Sequence, residues 1–252
     1  MVGKCVQTCL NVFCIVCCWS PDSGDSLLSV CGWPVVTWPA KFTWIQKVFG
    51  SNKSKDIQFG KNENSLDVYF PTAKGFDKSS ARLPALIYVF GGGWESGSRT
   101  MYCLLAQQLA NDLNVVVICT DYSLYPKCTI VDMVQDLIDC IGWTRDHGHS
   151  YGIDKKIFCC CKRYLESDLD QHCLVCRLPP FVLLHGIKDK VVPVDSSLRF
   201  SSALLVASVK ETLHVLPDVD HTAIVMDLMD RNRSSYTTLH EHVRKELQNI
   251  YF

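Results

Sequence analysis

The chain has 252 residues, of which 48% are hydrophobic and 20% are charged, and its formal net charge is -1. This length and composition are typical of a folded globular chain with a substantial core, and they exclude a mainly disordered one. Nucleic-acid binding needs a basic surface that neutralises phosphates, and the sequence contains no long Lys/Arg run, so we expect no nucleic-acid partner.

Residues 1–50 form a hydrophobic segment rich in cysteine and tryptophan, which we predict to be separate from the domain at 51–252. Its apolar run from Cys5 to Trp19 is too short and too interrupted for a membrane span, and prolines break a second apolar stretch. Clustered cysteines are palmitoylation candidates, and tryptophans favour membrane interfaces. Two interpretations stay open: attachment to a membrane surface such as the endoplasmic reticulum, or a plain hydrophobic extension of a cytoplasmic protein.

The 15 cysteines are an odd number and do not resemble the disulfide framework of a short secreted domain. Cys103 and Cys119 lie inside apolar runs, where a thiol acts as a small buried hydrophobe, so we expect mostly reduced, buried cysteines. The alternative is a metal site built from Cys159, Cys160, Cys161, His172, Cys173 and Cys176. Neighbouring residues of a strand point to opposite faces, however, so we predict no metal and no cofactor.

From residue 51 onward the hydrophobic pattern changes between strand and helix periods. We predict a polar linker or turn at residues 51–64. The predicted strands lie at 66–70, 85–90, 114–120, 155–161, 181–186 and 211–217, and the predicted helices at 101–113, 129–148, 196–208 and 236–252. In the helix at 129–148 the apolar face consists of Ile130, Val134, Leu137, Ile138 and Ile141. This alternation indicates an α/β fold with a mostly parallel sheet covered by helices on both faces, whose active site lies at the carboxyl ends of the strands.

A glycine-rich loop follows the predicted strand at 85–90. Gly91, Gly92 and Gly93 let the backbone turn sharply and leave N–H groups unshielded, as an oxyanion formed during acyl transfer requires. A flexible turn is the alternative interpretation. The loop resembles the HGGG-type oxyanion loop of esterases and lipases in the α/β-hydrolase family, with Phe90 at the usual histidine position.

Further segments carry this resemblance, which covers about residues 60–232. DYSLYP at 121–126 is similar to the family's DYR…P segment, and we interpret Asp121 as structural. HGIKDKVVP is similar to the family's acid loop, which makes Asp189 the acid, and DVDHT is similar to its histidine loop, which makes His221 the general base. Within the family the stretches LDVYFP, VVVICTDYSLYP and IVDMVQD look most like isoprenylcysteine methylesterase-like and kynurenine-formamidase-like members.

The nucleophile of this family should follow the predicted strand at 155–161, in a G-x-S-x-G turn between strand and helix. The chain continues there as KRYLE, which offers neither the serine nor a glycine for the turn. Gly97-Ser98 and Gly148-His149-Ser150 do not follow a strand. The sequence therefore predicts that the nucleophile is missing.

The connection between residues 161 and 181 is also short. The full fold places a helix, a strand and another helix in this region, so roughly 60 or more residues are absent at about 30 residues per β–α unit. We therefore predict an internally truncated α/β-hydrolase fold that lacks the nucleophile helix and the following strand.

The resemblance implies a hydrolase of small-molecule carboxylic esters or amides, and the missing nucleophile predicts that its activity is lost or impaired. A surrogate nucleophile at Cys160 or Cys161 would need activation by the neighbouring Lys162 or Arg163. The alternatives are a non-catalytic binding or regulatory protein and a non-functional splice isoform.

Overall fold

The computed structural model describes residues 53–154 and 181–251, apart from residues 73–76, 78–81, 93, 222, 225–226, 228–229 and 234. The hydrophobic segment at 1–50, the predicted strand at 155–161 and the cysteine and histidine residues between 159 and 176 lie outside the described residues. The division of the chain at residue 50 therefore stays a prediction.

The first part of the domain is a four-stranded sheet in the order β1-β2-β4-β3. Its strands are β1 (Lys53–Phe59), β2 (Asn64–Tyr69), β3 (Ala85–Val89) and β4 (Val116–Thr120). β2 is antiparallel to both β1 and β4, whereas β3 and β4 are parallel. Every residue of β4 is buried, as expected for a central strand with both faces covered.

The prediction of a linker at residues 51–64 is wrong, because Lys53–Phe59 forms the edge strand β1. In this strand Phe59 is buried, Ile57 is half-buried, and the other residues are polar. Only these two alternate positions therefore show the apolar pattern of a strand. An edge strand exposes one side to water and tolerates charged residues, which made this strand look like a turn.

Two helices pack on this sheet. α1 (Cys103–Leu113) follows a short 3-10 helix at Arg99–Tyr102, and α2 (Ile130–His147) follows β4. α2 begins with a capping box in which the Thr129 hydroxyl accepts from the Asp132 amide, while the Asp132 carboxylate accepts from the Thr129 amide.

The buried face of α2 differs from the predicted one. The five predicted residues are half-buried, and the deepest positions are Met133, Asp136, Cys140 and Thr144. Asp136 is buried because its carboxylate accepts hydrogen bonds from Asn62 Nδ2 and from the Ser123 amide, both at 2.8 Å. A pattern of apolar residues cannot reveal a buried carboxylate, and this explains the rotation of the face.

The second part of the domain is a parallel pair of strands, β5 (Phe181–Gly186) and β6 (Glu211–Leu216), connected by α3 (Val194–Val206). Leu184, Leu216 and Val219 belong to the same hydrophobic cluster as the buried residues of the four-stranded sheet, so the two sheets share one core. The final helix, α4 (Tyr236–Tyr251), packs against this core through Leu239 and Val243.

The architecture is the predicted α/β one, with mixed sheets in the part that the structure describes. The loops of the predicted active site follow strands of the two parallel pairs, β3 with β4 and β5 with β6. The antiparallel pairs are those that β2 forms with β1 and β4. Within the described ranges, no helix combines the length and the apolar character that a bilayer crossing requires.

Candidate active site

Asp189 and His221 form a hydrogen-bonded pair. Asp189 follows β5 and His221 follows β6, and Asp189 Oδ2 lies 2.9 Å from His221 Nδ1. The other carboxylate oxygen, Oδ1, accepts from the amides of Val191 and Val192, both at 2.8 Å. Burial opposes ionisation of Asp189, but the bonds from His221 and the two amides outweigh it, so the pKa of this carboxyl lies below its usual value.

The loops that carry the pair are connected directly by backbone hydrogen bonds. The Ile187 amide donates to Leu216 O at 2.8 Å, and the Lys188 amide donates to Val219 O at 3.1 Å. Gly186 permits this approach, because a Cβ atom added there would lie 2.0 Å from the Val219 carbonyl oxygen. The glycine of the HG-x-x-D pattern therefore brings the acid loop against the histidine loop.

His185 supports the acid loop from beneath, a role that the sequence analysis missed. Its Nε2 lies 3.1 Å from Val192 O and its Nδ1 lies 2.7 Å from Ser197 Oγ. A carbonyl oxygen only accepts, so the Nε2–H donates to Val192 O, while Nδ1 shares a hydrogen bond with the Ser197 hydroxyl. The only sequence signal is its place directly before Gly186 in the acid-loop pattern.

The glycine loop follows β3 at its carboxyl end, as predicted. Gly92 has φ 153°, and a Cβ atom there would lie 1.9 Å from Ser96 O, so the turn requires glycine. The Gly92 carbonyl oxygen accepts from the Ser96 amide at 3.1 Å and from the Ser96 hydroxyl at 2.8 Å. Gly93 lies outside the described residues. A tight, internally bonded turn at Gly91 and Gly92 is suited to hold backbone N–H groups in fixed directions.

The residue at the usual histidine position, Phe90, is buried and braces this loop. Its ring stacks on Tyr122 with 4.8 Å between the ring centroids, and the Tyr122 hydroxyl donates to Phe90 O at 3.2 Å. The aromatic pair thus connects the loop after β3 to the loop after β4.

Asp121 anchors the far end of the glycine loop. Its Oδ1 accepts from the Arg99 amide at 2.8 Å, and its Oδ2 pairs with the Arg99 guanidinium. The same guanidinium contacts Asp67 in β2, with 3.0 Å between Nε and Oδ1, and also pairs with Asp56. Arg99 and Asp67 are 8% and 2% exposed, so this pair is buried, whereas Asp56 lies at the surface. Asp121 is in contact with a structural cation and has no role in the acid–histidine pair.

The letters G-x-S-x-G occur once in the chain, as GHSYG at residues 148–152, but the structure places them far from the glycine loop. Gly148–Tyr151 is a 3-10 helix that follows α2. The Gly152 carbonyl accepts from the Leu83 amide at 2.8 Å, so this turn lies at the amino end of β3. Gly91 lies at the other end of β3, roughly 25 Å away at about 3.3 Å per residue. The exposed Ser150 is therefore not the nucleophile of this loop.

The structure describes four of the predicted site residues: Asp189, His221, Gly91 and Gly92. It connects Asp189 and His221 by a hydrogen bond. A carboxylate that accepts the Nδ1–H orients the imidazole of His221, as the predicted role of this residue as a general base requires. Cys160 and Cys161 lie outside the described residues. Among the residues that the structure describes, no group of three or more His, Cys, Asp or Glu side chains is placed to bind a metal ion.

Known proteins with similar sequences and folds are esterases and related hydrolases. The BD-FAE family model matches residues 66–161. A probable isoprenylcysteine alpha-carbonyl methylesterase of Arabidopsis thaliana is 24% identical over 272 aligned positions, covering 77% of this chain and 63% of the relative. The arylacetamide deacetylase of Oryctolagus cuniculus is 34% identical over 97 residues, covering 37% of this chain and 23% of the relative. This chain therefore spans less than two thirds of these relatives' length.

The same fold is present in a solved structure, the thermophilic esterase Est2 of Thermogutta terrifontis with bound propionate. The two chains superpose with a TM-score of 0.57 at 18% identity, over 82% of this chain and 97% of the esterase. The chain therefore has the α/β-hydrolase fold, and its sequence is similar to esterase-type members of that family.

Proposed function

We propose that this chain is an esterase-family protein that does not hydrolyse esters through a serine nucleophile. One observation carries the proposal: the acid and the histidine are paired, while the only G-x-S-x-G sequence lies at the opposite end of β3 from the oxyanion loop. A histidine base accelerates acyl transfer only when it removes a proton from a nucleophile within hydrogen-bond reach.

The length of the connection between Asp154 and Phe181 supports the proposal. Residues 155–180 form the whole of this connection. In the 272-position alignment with the Arabidopsis relative, 77% of this 252-residue chain corresponds to about 194 residues. Roughly 80 aligned positions therefore have no counterpart in this chain, in keeping with the loss of about two β–α units.

The ligands that we propose for this site are small-molecule esters. The Arabidopsis relative is named a probable methylesterase and the relative from Oryctolagus cuniculus a deacetylase. For this chain we propose the same ligand class without turnover. Attachment to a membrane surface depends on residues 1–50 and stays a prediction.

The test uses the full chain in a folded state, shown by a cooperative melting transition. A fluorophosphonate probe and intact-mass measurement should give no adduct, and a p-nitrophenyl ester should react no faster than with the His221→Ala variant. A serine esterase labelled in parallel checks the probe. A stoichiometric adduct would overturn the proposal, and peptide mapping with the Ser150→Ala variant would show whether Ser150 or another residue carries it.

A further inference from the structure

We propose that strand β6 and the adjoining side of helix α3 form a docking surface for a second copy of this chain. The two copies pair antiparallel about a two-fold axis, so that the sheet of one copy continues into the sheet of the other. In the ranges that the structure describes, β6 pairs with β5 and with no other strand. An open strand edge presents a row of N–H and C=O groups that a further strand can bind.

The backbone groups at this open edge belong to Glu211, Leu213 and Val215. The Phe181 amide of β5 donates to Lys210 O at 2.9 Å, so Lys210 turns its backbone groups toward β5. These directions alternate along a strand, and residues 211, 213 and 215 therefore turn theirs away from β5. Natural sheets usually protect an open edge with lysine, proline or a bulge, and β6 contains none of these between Glu211 and Val215. The edge is therefore suited to pairing.

An apolar side of α3 lies next to the open edge. The Ser201 hydroxyl of α3 donates to Glu211 Oε1 in β6 at 2.9 Å, so this side of the helix faces the open edge and not β5. The positions on this side are spaced by four, three and four residues, as in the seam of paired helices: Val194, Leu198, Ser201 and Leu205. Leu198 and Leu205 are 46% and 61% exposed although they are apolar. A helix packed against this side would cover both leucines.

A two-fold axis through Leu213 makes strand and helix complementary to themselves at once. In the antiparallel pair, residues 211, 213 and 215 lie opposite residues 215, 213 and 211 of the second copy, and each opposed pair exchanges two backbone hydrogen bonds. The centre of α3 lies between β5 and β6, because Phe181 of β5 and Leu213 of β6 both belong to its packing. The two α3 helices are therefore separated by about two strand spacings, roughly 10 Å, which is a normal distance between packed helices.

The charges at the two ends of β6 complement each other in this orientation. Lys210 precedes the strand, and Asp218 follows it with a side chain that is 86% exposed. Pairing about Leu213 brings Lys210 opposite Leu216 of the second copy, two residues from Asp218, which a long side chain can reach diagonally. Asp218 accepts from Lys188 within its own copy, and a carboxylate can accept from a second lysine. Symmetry produces this attraction twice, whereas parallel pairing would bring like charges together.

Sedimentation velocity of the full chain, over concentrations of about 1–100 μM, measures the association. We expect a monomer and a dimer whose proportion rises with concentration. Leu205→Glu places a charge in the helix contact and should weaken the dimer about tenfold or more. The matched control is Val206→Glu, because Val206 is the next residue of α3, is 88% exposed and points to the other side of the helix; it should leave the dimer unchanged.

A charge exchange tests the antiparallel orientation. Lys210→Asp and Asp218→Lys should each weaken the dimer, because each opposes two like charges across the axis. The chain that carries both substitutions restores opposite charges and should recover the dimer. Every variant is compared at a temperature well below its melting transition, since the four altered positions are at the surface. A chain that stays monomeric at all concentrations, equal weakening by the glutamates at 205 and 206, or no recovery in the doubly substituted chain overturns the proposal.

Discussion

Replacing Arg99 with methionine should be one of the most damaging single changes in the described part of the chain. Arg99 is 8% exposed and pairs with Asp67, which is 2% exposed, and with Asp121. Arg99→Met keeps most of the side-chain volume but leaves a buried carboxylate without its partner, which costs about 3–5 kcal/mol. At about 2–4 °C per kcal/mol for a domain of this size, the melting temperature should fall by roughly 6–20 °C.

The assay is urea unfolding followed by tryptophan fluorescence and circular dichroism. Arg145→Met is the matched control, because Arg145 is 46% exposed and pairs with the exposed Asp146, so it should cost no more than about 1 kcal/mol. Adding Asp67→Asn to Arg99→Met removes the unpaired charge and should recover about 1–3 kcal/mol. The reasoning is refuted if the variants of Arg99 and Arg145 are equally stable, or if the added Asp67→Asn destabilises further.

Three further predictions concern the acid–histidine loops and the cysteines. Gly186→Ala should lower the free energy of unfolding by about 1–3 kcal/mol, because its Cβ would lie 2.0 Å from a carbonyl oxygen of the histidine loop. The control is Gly142→Ala in α2, whose Cβ meets no atom within 4 Å. In thermal unfolding this control should stabilise the chain by about 0.5–1 kcal/mol. Asp189→Asn should lower stability by its full amount above about pH 5, because a lowered folded pKa contributes stability above the unfolded pKa of about 4. The difference in melting temperature should shrink as the pH falls below about 4, and a constant difference would contradict this. Iodoacetamide at pH 7.5 should modify the half-buried Cys128 and spare Cys140, whose burial raises its pKa to about 12; peptide mapping that finds Cys140 modified in the folded chain would contradict the structure.

The regular elements could be predicted because their signals are local. β4 and β5 are short apolar runs with both faces covered, and α2 has a capping box and helical spacing that are visible within 18 residues. The positions of Asp189 and His221 were assigned from the resemblance of their loops to those of α/β-hydrolases, and each loop follows a strand of a parallel pair.

The missed features depend on partners distant in sequence. Arg99 meets Asp67 across 32 residues and Asp56 across 43, and no spacing rule connects them. His185 is an ordinary strand-end histidine until α3 brings Ser197 against its Nδ1. The strand β1 was misread as a linker because pairing with β2, and not burial of its own side chains, holds it in place.

The contacts described around Asp189 and His221 come almost entirely from one β–α–β unit, residues 181–221. Strand pairing, the close approach at Gly186 and the support from His185 all act within this unit. These contacts hold the acid against the histidine whether or not a nucleophile stands beside them, so the geometry of the pair carries no information about the nucleophile. Intact dyad geometry is consequently a poor marker of activity among hydrolase relatives that have lost internal segments.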